Sequence, residues 1–196
     1  MKGVCFAIFV CSRLKSNTNG NLLDVYNDRV PRWKQSEYPI YVIDSCNETL
    51  GGPYSVAGMQ TLSFSGDTSF WCSWSCPTRR ETVALIFMQK HLTDACSFVF
   101  KISGKYYTPD LIPQIRNMSG NTTLVMQQGL KSSEIFGMRR GTLDAFLELY
   151  KRSHYNQEYR LQKFAAREKG VLELQKMKLY NFTRRSDGVI LRYLDG

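Results

Sequence analysis

Residues Cys96 to Leu111 read CSFVFKISGKYYTPDL, and this segment narrows the possible architectures more than any other. A β-branched and aromatic run, Phe98 to Ile102, stops at Ser103-Gly104. Lys101 and Lys105 flank that turn, Tyr106 and Tyr107 follow it, and Thr108-Pro109-Asp110 opens a helix. A buried strand that ends in cationic and aromatic groups and passes straight into a helix is how an α/β protein builds a ligand crevice. The ligand suited to it is anionic and contains rings.

The rest of the chain repeats the alternation. Gly3 to Val10 is a continuous apolar run of strand length, the pattern of a central strand covered on both faces. Leu22, Leu23, Tyr26 and Val30 predict a weak helix stopped near Pro31. Pro39 to Ile43 is a second strand ending at Asp44-Ser45, and Gln60 to Phe64 a third. Thr78-Arg79-Arg80-Glu81 reads as a capping box before a helix reaching about Leu92. A short helix from Asp110 and a strand over Thr122 to Gln127 come next. Leu143, Phe146, Leu147 and Tyr150 mark an amphipathic helix, and a long charged helix is predicted from about Gln157 to Met177. The tail is loop with one strand at Val189 to Tyr193. This order predicts one domain over residues 1–196: a three-layer, Rossmann-like α/β/α sandwich with a mostly parallel central sheet and a helical C-terminal third. Cys11-Ser12-Arg13, Asp44-Ser45 and the Lys101–Tyr107 segment then converge at the strand C-termini.

The formal net charge of +9 favours an anionic partner, but no run of five like charges occurs, so a basic nucleic-acid-binding tail is excluded. Three of the six cysteines, Cys5, Cys11 and Cys96, sit in or beside apolar runs and read as reduced core hydrophobes. The apolar stretch after Lys2 is too short and too poorly followed by a cleavage site for a signal peptide. No stretch approaches the ~20 apolar residues of a membrane span. The expectation is a cytoplasmic chain in which the four Asn-x-Ser/Thr signals, at Asn47, Asn117, Asn121 and Asn181, arise by chance.

The stretch Lys101-Ile102-Ser103-Gly104-Lys105-Tyr106 resembles the strand-borne K-x-[ST]-G-[RK]-Y motif of bacterial and viral sugar transferases of the GT-A fold. The first-strand pattern, Tyr41-Val42-Ile43-Asp44 and Ser133-Glu134-Ile135-Phe136-Gly137 are similar to the same enzymes, so the resemblance spans roughly Val4 to Tyr150. It implies a glycosyltransferase that moves a sugar from a nucleoside-diphosphate sugar to a glycan acceptor hydroxyl. There is one departure. The family's metal-binding Asp-x-Asp is absent from this chain, and the lysine-rich turn stands in its place. Two ammonium groups can neutralise a leaving diphosphate, which points to a metal-independent, inverting enzyme without cofactor.

The resemblance assigns the donor to Ser12, Arg13, Asp44, Lys101, Lys105, Arg139 and Arg140. A lysine inside an apolar strand needs a partner or a ligand, and snorkelling is its bland alternative. Asp44 reads equally as an Asx-turn. Arg139 and Arg140 offer bidentate phosphate contacts or are an ordinary surface pair. Glu134 is the expected catalytic base, against a helix-start glutamate favoured by the dipole. Trp71, Trp74, Tyr106 and Tyr107 are the expected acceptor platform, or else core aromatics. Glu81 reads as a cap. Cys72 and Cys76 lack nearby histidines, so no metal site is expected there. The P-loop, the dinucleotide-binding glycine motif and the G-x-S-x-G elbow are all absent. The competing readings are a nucleic-acid-binding module, which no known motif supports, and an inactive carbohydrate-binding relative of the transferases.

Overall fold

The computed structural model describes residues 3–10, 22–45, 55–64, 77–127, 133–150, 156–174, 179–185 and 188–194. Strands β1 (Val4–Val10), β2 (Ile40–Asp44), β3 (Gln60–Ser63), β4 (Phe98–Ser103), β5 (Leu124–Gln127), β6 (Ile135–Arg139) and β7 (Val171–Leu174) form one sheet in the order β3-β2-β1-β4-β6-β5-β7. Every pairing is parallel except those of β6, which runs antiparallel to both β4 and β5. Helix α1 (Leu22–Arg29) continues into a 3-10 helix (Val30–Ser36), followed by α2 (Pro77–His91), α3 (Leu111–Arg116), α4 (Arg140–Tyr150) and α5 (Gln157–Ala165).

Alternation along the strands builds two cores. Val4, Phe6, Ile8 and Val10 face one way with Phe98, Phe100 and Ile102, and are covered by Tyr26, Val30 and Trp33 and by Leu111 and Ile115 of α3. Cys5 and Ala7 face the other way with Val99, under Leu85 and Met88 of α2, Phe146 of α4 and Phe164 of α5. A sheet buried on both faces explains why its central strands read as unbroken apolar runs. The three-layer α/β/α class is therefore the observed one.

Five local readings differ. The helix predicted to Met177 ends at Ala165, and the chain turns through 166–170 into β7 beside β5. The tail forms a two-stranded hairpin, β8 (Leu179–Arg185) with β9 (Gly188–Leu194), so the C-terminal third is mixed rather than helical. Helix α2 begins at Pro77, so Thr78 is not its cap and Glu81 lies inside the helix. Cys5 and Cys96, expected as reduced, are joined by a disulfide. Strand β6 was not foreseen. Its Gly137 is required by packing, because a Cβ there would sit 2.7 Å from the Phe100 ring and 2.8 Å from that of Phe98.

Candidate functional site

The parallel register brings the ends of β1, β2 and β4 to one rim: Val10 lies opposite Asp44, and Phe9 opposite Ser103. The chain then turns tightly. The Gly104 amide donates to the Phe9 carbonyl at 2.8 Å, and the Tyr106 amide to the Ser103 carbonyl at 3.0 Å. Gly104 has no room for a side chain, since a Cβ would approach Val10 Cγ1 at 2.8 Å and the Phe9 oxygen at 3.0 Å. Gly104→Ala is expected to cost about 1–3 kcal/mol by overpacking, read as a fall in the urea midpoint, because the obstruction includes backbone.

Because β6 runs the opposite way, its N-terminal end reaches this same rim. The Ser103 amide donates to the Glu134 carbonyl at 2.8 Å, which sets Glu134 beside the lysine turn. Burial, reinforced by the Glu134 charge, pushes the Tyr106 hydroxyl above its ordinary range. Tyr106 is a core residue whose carbonyl accepts from Trp33 Nε1 at 3.1 Å, so it offers no open face to an acceptor sugar. Tyr107 packs edge-on against Trp33, with ring centroids 5.1 Å apart, and its hydroxyl donates to Gln35. Asp44 is fully buried. Lys105 is exposed and makes no ion pair among the described residues.

Lys101 departs from the donor role. It lies one step inside the strand, opposite Ala7 and Phe136, and is only 4% exposed. Its ammonium pairs with Glu81 of α2 and donates to the Ser133 carbonyl at 2.7 Å. The rings of Phe9 and Phe136 lie 5.9 and 5.6 Å from it. The buried cation did need a partner, but the partner is internal. Glu158, at the start of α5, continues the network by accepting from the Ser133 hydroxyl at 2.8 Å and its amide at 3.2 Å. Burial would raise the Glu158 carboxyl. Hydrogen bonds from its own backbone and from Ser133, with the Lys101 charge, outweigh that and hold it below the usual range. Arg160, 1% exposed, donates to the Thr82 hydroxyl at 2.5 Å and ties α5 to α2. Glu81, Glu158 and Arg160 carry this network, and no local pattern signals their meeting.

Arg139 and Arg140 stand at the opposite edge. Arg139 is paired with Phe98, the first residue of β4, and its guanidinium donates to the carbonyls of Gly120 and Thr122. Arg140 donates to the carbonyls of Leu92 and Thr93 beyond the end of α2. The five antiparallel residues of β6 carry the chain roughly 17 Å from Glu134 to Arg139 at the far side. The structure therefore does not bring these arginines to the rim. Ser12, Arg13, Trp71 and Trp74 lie outside the described residues, as do Cys72 and Cys76.

No protein-family model and no curated protein matches this chain. Solved structures do. A 4-diphosphocytidyl-2C-methyl-D-erythritol synthase from Anaerococcus prevotii is similar with a TM-score of 0.55 at 15% identity, over 88% of each chain. The mannosyltransferase PcManGT from Pyrobaculum calidifontis, solved with GDP-Man and Mn2+, gives 0.53 at 10% identity over 88% of this chain and 55% of its own. The galactosyltransferase LgtC, solved with donor and acceptor sugar analogues, gives 0.51 at 10% identity over 87% of this chain and 73% of its own. The fold is GT-A-like. The lysine turn and Glu134 lie at the rim formed by the C-terminal ends of β1, β2 and β4, the end of an open α/β sheet at which ligands generally bind. Among the described residues no three His, Cys, Asp or Glu side chains converge as metal ligands. Likewise, no helix of the described residues is long and apolar enough to cross a membrane.

Proposed function

We propose that this chain is a nucleotide-dependent transferase moving a sugar from a nucleoside-diphosphate sugar to an acceptor hydroxyl. The observation that carries the reading is the meeting of the Ser103–Tyr106 turn and Glu134 at one rim of a GT-A-like sheet. Glu134 takes the proton of the acceptor hydroxyl as its oxygen attacks the anomeric carbon from the side opposite the diphosphate, inverting the centre. The Lys105 ammonium steadies the departing diphosphate. Lys101 acts one layer down by holding Glu81 and the Ser133 carbonyl, and so the position of Glu134 next to it. Ser12, Arg13, Trp71 and Trp74 keep their sequence-based assignments to donor and acceptor.

With Lys101 spent internally, Lys105 is the exposed cation of the motif turn. A thermal-shift panel of nucleoside diphosphates, run with and without manganese, is the deciding experiment. A diphosphate is expected to raise the melting temperature, and Lys105→Ala to weaken its binding about 10- to 100-fold, the worth of a hydrogen bond to a charged group. No shift with any nucleotide in either arm would overturn the reading. A shift seen only with manganese would give a divalent ion the charge-neutralising part, against a metal-independent site. The likeness to a diphosphocytidyl-erythritol synthase favours a second reading, nucleotidyl transfer. A nucleoside triphosphate would then give the largest shift, and pyrophosphate would be released in place of a nucleoside diphosphate.

A further inference from the structure

The disulfide between Cys5 and Cys96 joins the second residue of β1 to the residue two before β4, and both cysteines are almost fully buried. It is formed when the two thiols give up two protons and two electrons to a disulfide-exchange oxidant, which is itself reduced to a dithiol. Such links are made and kept in oxidising compartments.

A separate feature points to the same surroundings. Asn117-Met118-Ser119 and Asn121-Thr122-Thr123 are both N-glycan acceptor signals without proline, four residues apart between α3 and β5. Asn117 and Asn121 are exposed, while Met118 and Thr122 between them turn inward. The Asn121 amide donates to the Ser119 hydroxyl at 3.1 Å, and its carbonyl packs closely on Gly170. Thr123 is tied down too, its hydroxyl donating to Glu168 at 3.0 Å. A recess lined by Asn121, Thr123, Arg167, Glu168, Lys169 and Gly170 opens beside the acceptor.

We propose that Asn121, with Asn117 beside it, is an N-glycan acceptor site in a chain that matures in an oxidising, glycosylating compartment. The side-chain amide nitrogen of Asn121 attacks the anomeric carbon of an oligosaccharide carried on a polyprenyl diphosphate. The N–C bond forms, the C–O bond to the diphosphate breaks, and one amide proton leaves with the lipid diphosphate. The acidic and basic groups of the recess offer hydrogen bonds to the first N-acetylated sugar. The site stands at the edge where β4 and β5 begin, opposite the rim that holds Glu134, so a glycan there leaves the crevice open. The expectation of a reduced, cytoplasmic chain with chance signals gives way to this reading, which does not depend on the transferase assignment.

The test expresses the full chain in a eukaryotic cell, once behind a cleavable secretion leader and once in the cytosol. In the secreted form, peptide N-glycosidase is expected to increase gel mobility and to convert Asn121 to aspartate in the mapped 117–123 peptide. Mapping is needed because Asn47 and Asn181 also head signals. Asn121→Gln and Thr123→Ala each remove that glycan, and the second variant decides the matter if the first is not secreted. In denaturant, Cys5 and Cys96 of the secreted chain resist alkylation until reductant is added. The sequence separation of 91 predicts that the oxidised form melts roughly 10 °C above the reduced cytosolic one. An unmodified Asn121 in the secreted chain overturns the proposal, as does a reduced chain that melts as high as the oxidised one.

Discussion

Lys101→Ala is expected to destabilise the protein by about 3 kcal/mol, the low end for breaking a buried ion pair, because Glu81 keeps partial access to water. A loss of that size is a large share of a typical domain's total stability. The variant leaves the Glu81 carboxylate without its cation and the Ser133 carbonyl without its donor. Removing both charges, in Lys101→Met with Glu81→Leu, is expected to recover most of the loss, since no uncompensated charge then remains in the core. Urea unfolding of the two single variants and the double variant measures this directly. A donor ligand behaves otherwise: the single variant would keep its stability, lose nucleotide affinity, and gain nothing from the second change. The cycle therefore separates a structural lysine from a diphosphate-binding one.

Glu134→Gln is expected to lower turnover about 10²- to 10⁴-fold, the usual worth of a positioned general base, while nucleotide affinity stays within a few-fold of the parent. Glutamine keeps the shape and the backbone bond to Ser103 but cannot take a proton. The melting temperature should barely move, which a thermal scan confirms beside the rate assay. Equal loss of binding and turnover would assign Glu134 to holding the turn. Retention of full ligand binding by a parent protein that never turns over would favour the inactive carbohydrate-binding reading.

Much of the sheet is legible because its central strands are buried on both faces and so read as mostly apolar runs. β1, β2 and β4 follow from that constraint. β6 escapes because four residues containing a glycine, Ile135 to Met138, flanked by Ser133-Glu134 and Arg139-Arg140, carry no run long enough to mark. The glycine that weakens the signal is the one that the Phe98 and Phe100 rings demand. The overlong C-terminal helix has a similar origin. Phe164 and Val171, and Ala165 and Leu172, stand seven apart and imitate a helical face across the turn that breaks it.

The site was legible as a place more than as a set of partners. The cost of an unpaired ammonium is readable in an apolar strand, and it correctly requires a counter-charge for Lys101. Which carboxylate answers depends on how α2 lies on the sheet, and Glu81 is twenty positions away. Arg139 and Arg140 misled for the converse reason. Their guanidinium chemistry suits a phosphate, whereas the strand that carries them puts its whole length between Arg139 and Glu134.

The reversed direction of β6 has a practical consequence for engineering. The carboxylate arrives on a cassette of its own, entering the rim at its first residue and leaving at the far margin through Arg139. Exchanging residues 134–139 between distant members of this architecture should therefore swap the rim carboxylate while leaving the Ser103–Tyr106 turn after β4 untouched.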